Sequence, residues 1–141
     1  MKLMLDTSVL GQICHPRKHA DTKLWFRGVR GVQGATVYLP EIVDFELRRE
    51  LLRIPSAVSL RALDALPSEI TYLPLTTAIM RSAAALWAAL WTTGRPLGTA
   101  DALGADVILA AQARAVGATV VTENVAHIGR MVDAATWRDL P

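Results

Sequence analysis

The stretch MKLMLDTSVL, residues 1–10, carries a short apolar run that ends in a carboxylate and two hydroxyls. Leu3, Met4 and Leu5 predict a short buried strand, and Asp6 follows it directly. A carboxylate is costly to bury without partners, and ligand sites of open α/β sheets lie outside the carboxyl ends of the strands. We therefore expect Asp6 to belong to a metal or catalytic site, to cap the following helix, or to do both.

The rest of the chain alternates predicted strands with predicted helices. Further strands are expected at residues 35–39, 69–73 and 119–122, which are rich in Thr, Val, Tyr and Ile. Helices are expected after the first strand and at about residues 19–32, 40–54, 56–66, 76–91, 105–116 and from 124, with a loop at 94–99. This alternation predicts an α/β fold with a central parallel sheet of four to five strands sandwiched between α-helices.

Two details of this prediction concern how the helices meet the core. The helix at 19–32 is expected to turn Leu24, Val29 and either Trp25 or Phe26 inward. Gly117 follows the helix at 105–116 and precedes the last predicted strand, which predicts a glycine C-cap at that join.

Length and composition predict one domain, residues 1–141, in the cytoplasm. Hydrophobic residues make up 52% of the chain, the net charge is +2, and the single cysteine, Cys14, is typical of a reducing compartment. The apolar stretch at 82–94 is too short to cross a membrane, and residues 3–5 are too few for a secretion signal. No Gly-x-Gly-x-x-Gly follows the first strand, which argues against a dinucleotide-binding domain.

A second candidate acid, Glu46, lies within the helix predicted at 40–54. The apolar residues of this helix recur at helical spacing, at Val43, Leu47, Leu51 and Ile54. Glu46 lies about 100° from Leu47, at the edge of that face. Glu50 stands one turn further along the same side and is the rival candidate. The spacing also allows Glu46 to be a solvated acid that pairs with Arg49 or Arg53.

A third candidate, Asp106, is expected to open the apolar helix at 105–116, where an acid in the first turn is favoured by the helix dipole. Asp101 stands five residues earlier. On one continuous helix the two carboxylates would lie about 140° apart and could not share a ligand. They converge only if Gly104 breaks the helix between them.

The fourth predicted strand ends in Thr122, Glu123 and Asn124, which would lie beside Asp6 if the first and fourth strands are neighbours. Asn124 also suits the N-cap of a following helix. Several carboxylates that converge at a sheet edge repel one another unless a cation neutralises them. His15, His19 and His127 are too scattered for a zinc site. The remaining oxygen ligands suit Mg²⁺ or Mn²⁺, the metals of phosphoryl-transfer sites.

Four short blocks follow one another along the chain: LDTSVL at 5–10, FELRREL at 45–51, ADVILAAQA at 105–113 and GATVVTEN at 117–124. In this order they make the sequence resemble the PIN-domain nucleases, and among them the VapC-like ribonuclease toxins of bacterial toxin–antitoxin pairs. The blocks are short, but together they span nearly the whole chain. The resemblance implies a PIN-like fold over residues 1–141.

The resemblance also implies which acids hold the metal. Asp6 matches the first acid of the family, Glu46 rather than Glu50 matches the second, and Asp106 matches the acid that precedes the Ile/Leu-Ala-Ala helix. These three residues are implied to bind Mg²⁺ or Mn²⁺, directly or through waters. Asp101 is an extra carboxylate in the loop that precedes the third acid of the family, and it is expected to restore the charge that Asn124 removes if Gly104 lets the chain turn.

The resemblance gives the remaining site residues supporting roles. Asn124 falls on the fourth position, which is usually an acid, and its neutral side chain weakens a second metal site. Thr122 and Thr7 or Ser8 match the hydroxyl positions that support the site. Asn124 and Asp101 are implied to orient water or a second metal.

The function implied by the resemblance is a Mg²⁺- or Mn²⁺-dependent endoribonuclease that hydrolyses RNA without a covalent intermediate. It further implies a homodimer and a partner antitoxin that blocks the active site, neither of which is visible in the sequence. A PIN-like module that binds RNA or protein without cutting is the alternative, and Asn124 keeps it open.

Cationic and aromatic side chains suggest further contacts. A solvated surface position is the alternative for each candidate cation of RNA binding. The candidates are Arg17, Lys18, Lys23, Arg27, Arg30, Arg48, Arg49 and Arg53. Trp87 and Trp91 stand one turn apart on the helix at 76–91 and are expected to pack in the core. The alternative for this pair is a dimer seam or an antitoxin groove, because tryptophan is enriched at interface hot spots.

Overall fold

Five parallel strands form one sheet in the order β3-β2-β1-β4-β5 in a computed structural model. The structure describes residues 1–93 and 100–141, and only the backbone of residues 100–102. The strands are β1 Lys2–Leu5, β2 Thr36–Pro40, β3 Thr71–Leu73, β4 Thr119–Val121 and β5 Ala134–Ala135. The helices are α1 Thr7–Cys14, α2 Ala20–Arg30, α3 Glu41–Arg53, α4 Ala57–Ala65, α5 Thr77–Thr92, α6 Ala100–Val116 and α7 Val125–Ile128. The predicted α/β class with a parallel sheet of four to five strands is confirmed, and the loop expected at 94–99 lies outside the described residues.

Strand β1 lies at the centre of the sheet because its side chains are apolar on both faces. Leu3, Met4 and Leu5 are at most 1% exposed. Leu3 is aligned with Val37 of β2 on one side and with Thr119 of β4 on the other. Strands buried on both faces are typical of parallel sheets covered by helices, so the opening stretch of the chain determines where the sheet has its centre.

The strand order creates a crevice between β1 and β4. From β1 the chain builds outward to β2 and β3, and it then returns to the other side of β1 to form β4 and β5. Such a reversal is a topological switch point, and ligands of open α/β sheets bind there, outside the carboxyl ends of the strands. Asp6 follows β1 and Thr122 follows β4, so these two residues lie on opposite sides of the crevice.

The join between α6 and β4 has the predicted glycine. Gly117 has a φ of +69°, a backbone conformation that residues with a side chain rarely adopt. The backbone N–H of Gly117 donates to Arg114 O, and that of Ala118 donates to Ala113 O, a Schellman C-cap. The glycine prediction is confirmed, and this turn delivers β4 directly to its place beside β1.

Parts of the predicted core are wrong. Leu24 of α2 is 66% exposed, whereas Phe26 and Val29 are buried as predicted, and Thr22 is buried with them. These three residues recur at i, i+4 and i+7 and so share one helix face, while Leu24 points away from it. Ile54 is 65% exposed because α3 ends at Arg53, so the helical spacing of apolar residues that includes Ile54 extends past the end of the helix.

The tryptophan pair on α5 is also not in the core. Trp87 and Trp91 are 36% and 39% exposed, and their rings contact each other at a centroid distance of 5.5 Å. Core packing was the wrong interpretation, because the indoles lie on the side of α5 that the described residues leave open. No helix among the described residues has both the length and the apolar character needed to cross a membrane.

Candidate functional site

Asp6 is held at the carboxyl end of β1 by both neighbouring elements. Its backbone N–H donates to Val121 O at 3.0 Å, which continues the β1–β4 ladder. Its Oδ1 accepts the Thr7 N–H at 2.7 Å and caps α1, and its Oδ2 accepts the Thr122 hydroxyl at 2.6 Å. Asp6 is therefore the helix cap that the sequence allowed, and its carboxylate also lies in the crevice.

Glu46, and not Glu50, lies next to Asp6. The Thr7 hydroxyl donates to Glu46 Oε1 at 2.9 Å, so Thr7 contacts both acids. Glu50 is exposed and pairs with Arg53 at 2.6 Å. The Arg49 guanidinium lies 3.8 Å from Glu46, which is a loose contact at the edge of the site.

Asp106 lies inside α6 and does not open it. The helix begins at Ala100 and continues through Gly104 to Val116, so the predicted helix start at 105 is wrong. The break at Gly104 on which the role of Asp101 depends is absent from the described backbone. The side chain of Asp101 lies outside the described residues, and its place in the site stays a prediction.

Asp106 contacts a residue that the sequence argument set aside. The His127 ring Nε2 lies 2.7 Å from Asp106 Oδ2, and both side chains are about one-quarter exposed. His127 belongs to α7, the short helix that follows β4. The spacing of histidines along a sequence can indicate a zinc site, but it does not indicate this contact. His127 meets Asp106 only because the fold packs α7 beside α6.

The segment after β4 supports the site through Thr122. This residue is fully buried, and its hydroxyl donates to Asp6 while it accepts the Asn124 N–H at 3.0 Å. Asn124 is exposed at the N-cap of α7 and makes no side-chain cap bond there, so the capping interpretation is wrong in detail. Glu123 is bound by Arg138 at 3.0 Å and faces the C-terminal segment.

Asp6, Glu46 and Asp106 form one electrostatic unit, called here the acid cluster. Burial is the main cause that raises the pKa of Asp6, and the nearby charge of Asp106 adds to it. Burial likewise raises the pKa of Glu46, with further contributions from the charges of Asp6 and Asp106. Desolvated like charges at one place are costly, and a bound cation would remove that cost.

The donor chemistry of the acid cluster fits a hard divalent cation. Its carboxylate oxygens are the ligands that Mg²⁺ and Mn²⁺ prefer, and the free cysteine, Cys14, is buried elsewhere in the fold. Within the described part of the chain, no three His, Cys, Asp or Glu side chains stand close enough to hold a metal ion as they are. The acids would have to draw together around a cation.

We expect Glu46→Gln to stabilise the protein when no divalent metal is present. Because the pKa of Glu46 is raised by folding, its contribution to stability is complete below the ordinary Glu pKa and is lost as pH rises through the raised one. Glutamine stays neutral and still accepts the Thr7 hydroxyl. Thermal melts in EDTA between about pH 4 and 8 should show Tm higher by about 3 °C at neutral pH, with the gain shrinking in acid.

The matched control for this prediction is Glu50→Gln. The pKa of Glu50 is lowered by its ion pair with Arg53, so the same change there should bring no gain at neutral pH. A Glu46→Gln protein that melts at or below the wild type at neutral pH would contradict the electrostatic description of the acid cluster.

The fold and the site together define a class: a doubly wound α/β protein with partly buried carboxylates at its switch point. The PIN domain family model matches residues 3–128, and the chain belongs to that family. No curated protein matches the chain in sequence.

Solved structures share the fold at low sequence identity. VapBC2 from Rickettsia felis, bound to a DNA fragment from its promoter, gives a TM-score of 0.79 at 19% identity, covering 97% of this chain and 99% of the other. VapBC-1 from nontypeable Haemophilus influenzae gives a TM-score of 0.74 at 22% identity, covering 98% of this chain and 99% of the other. VapC20 from Mycobacterium tuberculosis, described as a toxin that cleaves the sarcin–ricin loop, gives 0.63 at 16% identity, covering 84% and 86%.

Proposed function

We propose that this protein is a Mg²⁺- or Mn²⁺-dependent endoribonuclease. The observation that carries the proposal is the acid cluster at the switch point, in which Thr7 links Asp6 to Glu46 and the charge of Asp106 raises the pKa of both. Membership of the PIN family supports it. RNA as the substrate class is supported by the fold shared with a toxin described as cleaving the sarcin–ricin loop.

The residues of the site divide the work of hydrolysis. Asp6, Glu46 and Asp106 would hold the cation, which when bound supplies charge for the scissile phosphate and lowers the pKa of a water. Thr7 keeps Asp6 and Glu46 in fixed relation through its backbone N–H and its hydroxyl. Thr122 fixes the second oxygen of Asp6. Asn124, the neutral residue at the fourth position, is proposed to orient water.

Arg49 is the proposed phosphate contact closest to the acid cluster. Arg30, Arg48 and Arg53 are held in ion pairs with other acids, at 2.7 Å from Asp64 in the case of Arg48. Arg49 makes only the loose contact with Glu46, and its guanidinium lies 5.3 Å from the ring centroid of the exposed Phe45. Arg49 could therefore bind a phosphate that enters the site without breaking a close ion pair.

We expect Arg49→Ala to weaken RNA binding more than Arg53→Ala does. Each phosphate contact contributes counterion release, so its loss should reduce the slope of log K against log salt by roughly 1. Fluorescence anisotropy with a labelled RNA across a salt series, in the cleavage-deficient Asp6→Asn background, measures the slope. Equal slopes for the Arg49→Ala and Arg53→Ala proteins would remove Arg49 from the binding surface.

The wider biological role is also a proposal. We propose that the protein is the cytoplasmic toxin of a toxin–antitoxin pair, that residues 1–141 form one PIN domain, and that the chain forms a homodimer. The fold shared with the VapBC structures supports an antitoxin partner, and β5, which pairs with β4 beyond the region matched by the family model, supports the domain limits.

A PIN-like module that binds without cutting is the second candidate, favoured by the neutral Asn124. The test is an RNA cleavage assay with the purified protein, titrated with Mn²⁺ and stopped by EDTA. Metal-dependent cleavage supports the nuclease. RNA binding with no cleavage at any metal concentration would favour the binding module.

A further inference from the structure

The hydrogen bond between His127 and Asp106 connects α7 to the acid cluster. Its length, 2.7 Å between Nε2 and Oδ2, is short for a nitrogen–oxygen pair. Both side chains are largely shielded from water, which strengthens the contact relative to one on an open surface. A carboxylate accepts and does not donate, so Nε2 carries the hydrogen and the bond fixes one oxygen of Asp106.

The position of His127 is itself fixed by packing. Ile128, the next residue, is 2% exposed in the core, and its backbone N–H donates to Asn124 O at 3.1 Å. Helix α7 is therefore anchored to the core on one side and presents the imidazole to α6 on the other. The burial of Ile128 thus places His127 beside α6, and the carboxylate that His127 contacts belongs to the acid cluster, since the charge of Asp106 acts on both Asp6 and Glu46.

We propose that His127 is a positioning residue, which donates to Asp106 Oδ2 and so directs the other carboxylate oxygen of Asp106 toward the divalent cation. The inference rests on the proposed function, because it assumes that the acid cluster binds a metal. Hydrogen-bonded partners of metal-ligating carboxylates fix ligand orientation, and their loss typically costs 10–100-fold in metal affinity.

The experiment compares the Mn²⁺ affinity of wild type, His127→Leu and His127→Gln, measured by the electron paramagnetic resonance of free Mn²⁺ without RNA. Leucine removes the donor, whereas the glutamine amide can place an N–H where Nε2 was. We expect His127→Leu to weaken binding by about 10-fold or more and His127→Gln to stay within about threefold of wild type. His19→Leu, the same change at an exposed histidine, should leave the affinity unchanged.

Each other outcome overturns the inference in a recognisable way. Wild-type affinity in His127→Leu would mean that His127 does not position Asp106, and the proposed nuclease would stand. Nitrogen coupling to bound Mn²⁺ in electron spin-echo spectra, lost in both variants, would make His127 a direct ligand instead. Absence of Mn²⁺ binding by the wild type would overturn the inference together with the proposed metal dependence.

Discussion

Asp6→Asn is expected to abolish metal-dependent RNA cleavage, with a loss of at least about 10²-fold, while the protein stays folded. The loss of one preorganised charged group in an active site costs about this much, and Asp6 is the acid bound by elements on both sides of the switch point. Asparagine keeps an oxygen for the Thr7 N–H, so the cap of α1 is retained. The measurement is the cleavage rate of a labelled RNA at saturating Mn²⁺, with circular dichroism to verify the fold.

The control for this result is Asp133→Asn, which makes the same change at an exposed aspartate. It should cleave at the wild-type rate, and both variants should pass through the same purification to exclude contaminating ribonuclease. Undiminished cleavage by a well-folded Asp6→Asn protein would be incompatible with the proposed site.

Gln112→Leu is expected to lower the stability of the fold more than any other substitution proposed above. Gln112 is fully buried; its Oε1 accepts the Ile42 N–H at 3.3 Å, and its Nε2 donates to Leu73 O at 2.8 Å. Leucine leaves both backbone groups without this partner, at about 1–3 kcal/mol each. We expect the free energy of unfolding to fall by roughly 2–4 kcal/mol and Tm to fall by about 10 °C.

The effect should reach the site as well as the fold, because Ile42 lies in the first turn of α3, the helix that carries Glu46. Urea unfolding of the Gln112→Leu protein measures the loss. Gln33→Leu, the same change at an exposed glutamine, is the control and should stay within about 0.5 kcal/mol of wild type. A similarly small effect at Gln112 would mean that the amide is not a structural link.

The sequence was most informative where local pattern and tertiary burial agree. The apolar run before Asp6 predicted a buried strand, because a strand covered on both faces has apolar side chains on both of them. The glycine at position 117 predicted the turn between α6 and β4, because a residue without a Cβ adopts a positive φ most easily. Asp6 and Glu46 lie together because the first follows β1 and the second lies on the helix after β2, its neighbour, whereas helical spacing alone left Glu50 as a rival.

The sequence was least informative where long-range packing decides. A glycine such as Gly104 weakens a helix by about 1 kcal/mol, which suggested that the helix breaks there. However, α6 packs along α5 and remains helical through Gly104. The His127–Asp106 contact joins residues 21 positions apart on different helices, and no periodicity encodes it. The exposure of Trp87 and Trp91 depends on which side of α5 the rest of the fold covers.

The hydrogen bond from Thr122 to Asp6 joins residues 116 positions apart, and this separation has a consequence for synthesis of the protein. A ribosome that elongates at 5–20 residues per second needs on the order of 10 s to travel that distance. Throughout this interval the first carboxylate is already made, but the strand that positions it has not been translated. The proposed nuclease site would therefore be complete only after β4 and Thr122 have been translated.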